Sequence, residues 1–149
     1  MTNSLPGERP VLDQINLVVR DIDAMIAFYE KLGIEINPAP PPWDGNHRSA
    51  VMPAGLDFDL DSTDFARQWN EGWPVGGTGV VLGFRVTTRA AVDTAYSDLV
   101  GAGYVGQQPP YDAFWGARYA VICDPDGNAV GVMSPLDPSM RTPPPAPPA

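Results

Sequence analysis

VLDQINLVVRDIDAMIAFYEKLG (residues 11–33) and VVLGFRVTTRAAVDTAYSDLVGAG (residues 80–103) decide the fold, because each is a strand followed by a helix and the two superimpose. Val11 to Val19 is rich in β-branched residues and reads as a strand. Asp21 is a good N-cap, and Met25, Phe28, Tyr29 and Leu32 then recur with the spacing of one helix face. Gly33 supplies the stop. In the second copy Val80 to Val86 is the strand, Thr88 the cap, and Val92, Ala95, Tyr96 and Leu99 the helix face, ended by Gly101 and Gly103. The offset is a constant 67 residues, pairing Val19 with Val86, Met25 with Val92, Tyr29 with Tyr96 and Leu32 with Leu99. A further strand follows each helix, LDFDLDS after Gly55 and NAVGVMS after Gly127. DPDGN (residues 124–128) between two apolar runs reads as a tight hairpin turn.

The predicted class is therefore α+β. Two βαβββ modules, residues 10–62 and 79–136, form a curved, mostly antiparallel eight-stranded sheet around a concave cavity, with helices on the outer face. Residues 63–78 read as the linker, including the glycine-rich Gly76-Gly77-Thr78-Gly79, which lacks the ending of a phosphate-binding loop. Residues 1–9 read as a flexible N-terminus. Residues 137–149 (DPSMRTPPPAPPA) read as an extended or disordered tail, since proline removes backbone donors and fixes φ.

Side chains alternate across a strand, which sorts the residues by face. Ile15, Leu17 and Val19, then Leu56, Phe58 and Leu60, are expected on the helix side. Gln14, Asn16 and Val18 face the concavity, with Asp57, Asp59 and Asp61, Val81, Gly83 and Arg85, and Ala129, Gly131 and Met133. A concave wall of this kind suits a small molecule.

Composition narrows the function. A chain of 149 residues predicts one domain with a core of its own. The net charge of -9 argues against nucleic acid, whose phosphates require a basic surface. No apolar run is long enough to span a membrane, and MTNSLPGERP lacks the basic and apolar regions of a secretory signal. The single Cys123 excludes an internal disulfide and suits the cytoplasm. Cys123 in an apolar strand reads as inert packing. His47, the one imidazole, reads as a solvated residue after the proline run 38–42.

LDQINLVVRD leading into AMIAFYEKLG resembles the opening of a vicinal-oxygen-chelate domain, the superfamily of glyoxalases, bleomycin-resistance proteins and extradiol dioxygenases. VVLGFRV with the helix ending LVGAG resembles the second module, and DAFWGARYAVICDPDGNAVGVMSP its closing hairpin. The resemblance implies four metal-ligand positions on the inner face, which fall on Gln14, Asp59, Val81 or its neighbour Val80, and Gly131. Gln14 and Asp59 are weak candidate ligands, whereas valine and glycine offer no donor. The expectation is thus a cofactor-free protein. The alternative is a lyase or dioxygenase that uses Gln14 and Asp59 with a divalent metal such as nickel, zinc, manganese or iron.

Small groups at Val81 and Gly131 are expected to enlarge the cavity and make it less polar. Trp43, Trp73, Phe114, Trp115 and Tyr119 are expected beside it, with Gln14, Asn16, Asp59 and Arg85, offering flat surface and cation–π capacity. No catalytic residue is assigned. The resemblance implies sequestration of an amphipathic, cationic aromatic molecule, an antibiotic or a metabolite, by a cytoplasmic homodimer, as in antibiotic-resistance members of the superfamily.

Overall fold

The computed structural model describes residues 9–32, 34–74, 79–124 and 127–147. Gly33, Gly76, Gly77 and Thr78, and Pro125 and Asp126 of the DPDGN turn, lie outside them.

The elements are β1 (Val11–Val19), α1 (Ile22–Leu32), β2 (Glu35–Ile36), β3 (His47–Val51), β4 (Asp57–Ser62), α2 (Thr63–Trp69), β5 (Val80–Arg85), α3 (Arg89–Gly101), β6 (Gly106–Asp112), β7 (Arg118–Cys123) and β8 (Ala129–Met133). The strands form one open eight-stranded sheet in the order β2-β3-β4-β1-β5-β8-β7-β6. β1 lies parallel to β4 and β5 parallel to β8, and the remaining neighbours are antiparallel. Each half is a βαβββ unit. The halves meet along the antiparallel β1–β5 ladder, whose Ile15–Leu82 pair is separated by the same 67 residues as the sequence repeat. A bulge between Leu12 and Gln14 interrupts that ladder at one end.

Two packed clusters use the two faces of the sheet. On the outer face Val86, Ala120, Ile122 and Val132 meet Val92, Ala95 and Tyr96 of α3. Thr88 caps α3 by accepting from the Ala91 amide at 3.0 Å, and Asp21 does the same for Ala24 at the start of α1. α1 sits over the first module, with Tyr29 edge-on to Phe58. Its buried stripe is rotated from the expected one. Ile22, Met25, Ile26 and Tyr29 turn inward, while Phe28 is 60% exposed. Both stripes fit a helical period, so the sequence alone does not choose between them.

The inner face carries the larger cluster: Trp43, Phe65, Ala66, Trp69, Val81, Ala113, Tyr119, Val121 and Ala129. Three of these come from α2, a helix inside the stretch expected to be only linker. Ser62 caps α2 by accepting from the Phe65 amide at 3.1 Å, and Phe65, Ala66 and Trp69 lie on its buried side. α1 and α3 cover the outer face as expected, whereas α2 packs into the concavity. Burying aromatic side chains of this size contributes about 2–3 kcal/mol each before ordering costs, enough to explain why a seven-residue helix holds its place.

The proline-rich segment, expected to be extended or disordered, follows a short turn without further helix or strand and is tied to the domain as far as Pro145. The Asp137 amide donates to Gly116 O at 2.9 Å and the Thr142 amide to Phe114 O at 3.0 Å. The Trp43 indole donates to Pro145 O at 2.5 Å. Proline cannot donate, but its carbonyl accepts, and the domain supplies the donor. A Cβ on Gly116 would stand 2.5 Å from Asp137 O, and Gly116 has a φ of 95°, so only glycine seats the segment here.

Candidate functional site

The concave face holds a cavity of about 290 Å³ with two unlike walls. One wall comes from β1, β3 and β4 and is made of Gln14, Asn16, His47, Ser49, Asp59 and Asp61, with Asp57 toward the rim. The aromatic wall is Phe65, Trp69, Phe114, Trp115 and Tyr119, with Met133. Leu136 and Arg141 of the C-terminal segment complete the mouth.

Strand alternation builds the polar wall. Asp57, Asp59 and Asp61 share one face of β4, and register places Asp59 beside Asn16 and Ser49, and Asp61 opposite His47. Asp61 is 1% exposed and is held by three donors: Asn16 Nδ2 at 2.8 Å, Trp69 Nε1 at 2.9 Å and His47 Nδ1 at 2.5 Å. A buried carboxylate needs such donors to remain charged. With Nδ1 committed to Asp61, His47 presents Nε2 toward Ser49 Oγ at 3.5 Å. Burial opposes the imidazolium, but the hydrogen bond and charge of Asp61, with the charge of Asp59 added, outweigh it and raise the His47 pKa above its ordinary value. Its ring lies 5.0 Å from that of Phe65.

Asp59 is in a different position. It is 8% exposed and accepts from Gln14 Nε2 at 2.5 Å and from Ser49. Burial, then the neighbouring Asp61 charge, push its pKa to about 6.

The aromatic wall is braced edge to face. Tyr119 touches Trp69, Tyr111 and Trp115, and Trp115 Nε1 points at Met133 Sδ at 3.2 Å. Burial raises the pKa of Tyr119, so its hydroxyl stays neutral.

Of the residues singled out by sequence, Gln14, Asn16, Asp59, Phe114, Trp115 and Tyr119 line this cavity together. Val81 is packed in the inner cluster at 1% exposure. Gly131 does not enlarge the space as expected. A Cβ there would stand 2.5 Å from the Tyr119 hydroxyl, so the tyrosine ring fills the room the glycine leaves. Trp43 is buried against Phe65, and Trp73 packs on Trp69 behind the wall. Arg85 pairs with Asp13 at 3.6 Å and borders a separate depression. Cys123 lies elsewhere, its thiol pKa raised by burial and by Asp124.

His47, Ser49, Phe65 and Trp69 belong to the cavity and escaped the sequence reading of the site, while Asp61 was placed on the concave face without being singled out as a site residue. His47 is half-buried and paired, contrary to the expectation of a solvated residue. The alternation of Asp57, Asp59 and Asp61 was the available signal for Asp61. The partner of His47 was hidden because only the β3–β4 register brings it near.

The inner face also allows a test of the metal site implied by the resemblance. Of the four positions, Gln14 and Asp59 are bonded to each other, Val81 has no donor, and Gly131 lies under a neutral tyrosine hydroxyl. Among the described residues no three His, Cys, Asp or Glu side chains converge as a metal site. These donors do not fit a four-position divalent centre.

Residues 11–132 match the family model described as the glyoxalase/bleomycin resistance protein/dioxygenase superfamily. The chain belongs to this superfamily. No curated protein matches the chain. Solved structures share the fold. A glyoxalase/bleomycin resistance protein/dioxygenase superfamily member from Vibrio splendidus 12B01 is similar at 16% identity and TM-score 0.57, over 86% of this chain and 99% of that one. Methylmalonyl-CoA epimerase from Mycobacterium tuberculosis is similar at 18% identity and TM-score 0.56, over 91% and 94%. The Mn(II)-bound glyoxalase from Novosphingobium aromaticivorans is similar at 19% identity and TM-score 0.57, over 86% of this chain and 38% of that one. At these identities the likeness concerns the fold.

Proposed function

We propose that this superfamily member binds a small planar, amphipathic molecule in the concave cavity without a metal, and that its role is sequestration of an antibiotic or metabolite. The observation that carries this reading is that two unlike sets of side chains line one small cavity. One wall offers hydrogen-bonding groups and carboxylates, and the other offers aromatic faces and edges. A planar ligand in contact with both sets would bury apolar area on the aromatic side chains and satisfy polar atoms at its edge. The donor set supports the metal-free part of the proposal, since the two second-module positions carry no ligand atom.

The test is a titration of intrinsic tryptophan emission with planar aromatic compounds, with and without a strong chelator. Saturable quenching that chelator leaves unchanged is expected. Trp115→Ala should weaken it by about tenfold, the equivalent of 1.4 kcal/mol. Elemental analysis of protein purified without chelator should find no stoichiometric metal. Tight metal with turnover abolished by Gln14→Ala would replace this reading with the lyase or dioxygenase one. Sedimentation equilibrium tests the homodimer that accompanies the proposal. No helix among the described residues is long and apolar enough to cross a membrane.

A further inference from the structure

Two unmet needs meet at one point of the polar wall. Asn16 is 7% exposed, yet its Oδ1 has no hydrogen-bond partner. The orientation of that amide is fixed by chemistry. Its Nδ2 donates to Asp61 at 2.8 Å, and turning the group over would set oxygen against a carboxylate. The Asn16 acceptor is therefore left over after the fold has used the donor, and an orphaned buried acceptor costs free energy unless something fills it.

Asp59 is the second. It stands directly across the strand pair from Asn16, and both line the cavity. Its hydrogen-bond partners Gln14 and Ser49 are neutral, and no lysine or arginine pairs with it among the described residues. Facing it are Asp57 and Asp61 from its own strand and His47 from β3. His47 bonds directly to Asp61, while Arg141 lies on the exposed mouth. The inner end of the cavity thus holds a carboxylate without a paired cation next to a carbonyl without a donor.

We infer that the ligand of this cavity carries a protonated planar nitrogen group, an amidinium, a guanidinium or a ring-protonated aminoheterocycle, which sets its N–H donors on the Asp59 carboxylate and the Asn16 carbonyl. Such a group has the charge Asp59 lacks and the donors both acceptors can use, and its flat frame continues between the aromatic side chains. This inference rests on the proposed binding function and assigns the chemistry of its ligand. It carries a proton linkage: with an Asp59 pKa of about 6, the cation must displace the carboxyl proton at lower pH.

The experiment compares benzamidine with its neutral isostere benzamide and with benzoate, at millimolar concentration. The readout is the NMR shift of the Trp69 and Trp115 indole N–H signals. At pH 7.5 benzamidine should bind at least about tenfold more tightly than benzamide, the range of one charge-assisted contact. From pH 7.5 to 5 its affinity should fall about tenfold, following the ionised fraction of Asp59, while that of benzamide holds. Asp59→Asn, checked for a native indole spectrum, should remove the preference. The wild-type pH series stands alone if that variant does not fold. Benzamide binding as well as benzamidine, or better on acidification, overturns the cation assignment and leaves the binding function standing. No indole shift with any of the three overturns both.

Discussion

The two halves of the inner face began as one pattern and are used differently. In the first module, β1 and β4 present Gln14, Asn16, Asp57, Asp59 and Asp61 to the cavity, joined by hydrogen bonds. In the second, the matching strands present Val81, Gly83, Ala129 and Gly131, and Tyr119 crosses over Gly131 with Trp69 and Trp115 around it. The same sheet geometry supports a polar wall that is costly to bury and an apolar wall that stabilises. Fold and site are thereby separable: the second half anchors, and the first half carries groups that the fold alone would not select.

The largest effect should come from removing the anchor of the polar wall. Asp61→Ala leaves three donors, on Asn16, His47 and Trp69, without their shared acceptor. The expected loss is about 3–5 kcal/mol, as for breaking one side of a buried charged network. Urea unfolding measures it. A loss below about 1 kcal/mol, a typical surface value, would mean the wall is not the network described.

Asp59 should behave in the opposite sense. Its folded pKa of about 6 lies above the ordinary 3.8, so the folded state holds the proton more tightly than the unfolded chain. Stability should therefore fall as pH rises from about 4 to 6 and stay lower above that, by up to about 3 kcal/mol for two pKa units. Asp59→Asn removes this cost, and a gain of about 1–3 kcal/mol at pH 7.5 is expected, with the pH 4–6 slope flattened. His47 contributes separately. Its raised pKa means stability present below 6.5 that is lost as pH climbs through the folded value. Unfolding midpoints of the wild type and Asp59→Asn at pH 4.5 and 7.5 check the prediction, and an unchanged pH slope in the variant would refute it.

The aromatic wall is tested from beneath. Gly131→Ala places a methyl 2.5 Å from the Tyr119 hydroxyl and 2.9 Å from its ring. Tyr119 is held on several sides by other rings, so its movement should cost about 1–2 kcal/mol, the lower range for overpacking. Near-ultraviolet circular dichroism should change with it. Wild-type stability and spectrum together would show that the ring moves freely.

The comparison also explains what the sequence revealed. The 67-residue repeat and strand alternation were legible because both are local periodicities, and they give the sheet, its faces and the acidic row of β4. Helix α2 was not, because Phe65, Ala66 and Trp69 span little more than one turn and give too short a period to separate from a loop. The His47–Asp61 pair depends on the β3–β4 register, which no local pattern encodes. The role of Gly131 was misjudged for the same reason: a glycine announces room, and only the neighbouring strand says that Tyr119 occupies it.

The smallest effect concerns the segment that joins the two walls at the mouth. The Asp137 amide donates to Gly116 O before Arg141, and after it the Thr142 amide donates to Phe114 O and Trp43 donates to Pro145 O, so the C-terminal segment is tied on both sides of Arg141 at the cavity rim. Trp43→Phe keeps most of the buried ring and removes one hydrogen bond, worth about 1 kcal/mol. If the segment closes locally, that loss should appear in its own opening equilibrium more than in global unfolding. Exchange of the Thr142 amide should then quicken about fivefold, the factor for about 1 kcal/mol, while amides of β5 and β8 keep their protection. Equal acceleration in all three would mean that the segment unfolds only with the sheet and belongs energetically to the aromatic half. Acceleration at Thr142 alone would make the mouth a separate element, able to open while both walls stay folded.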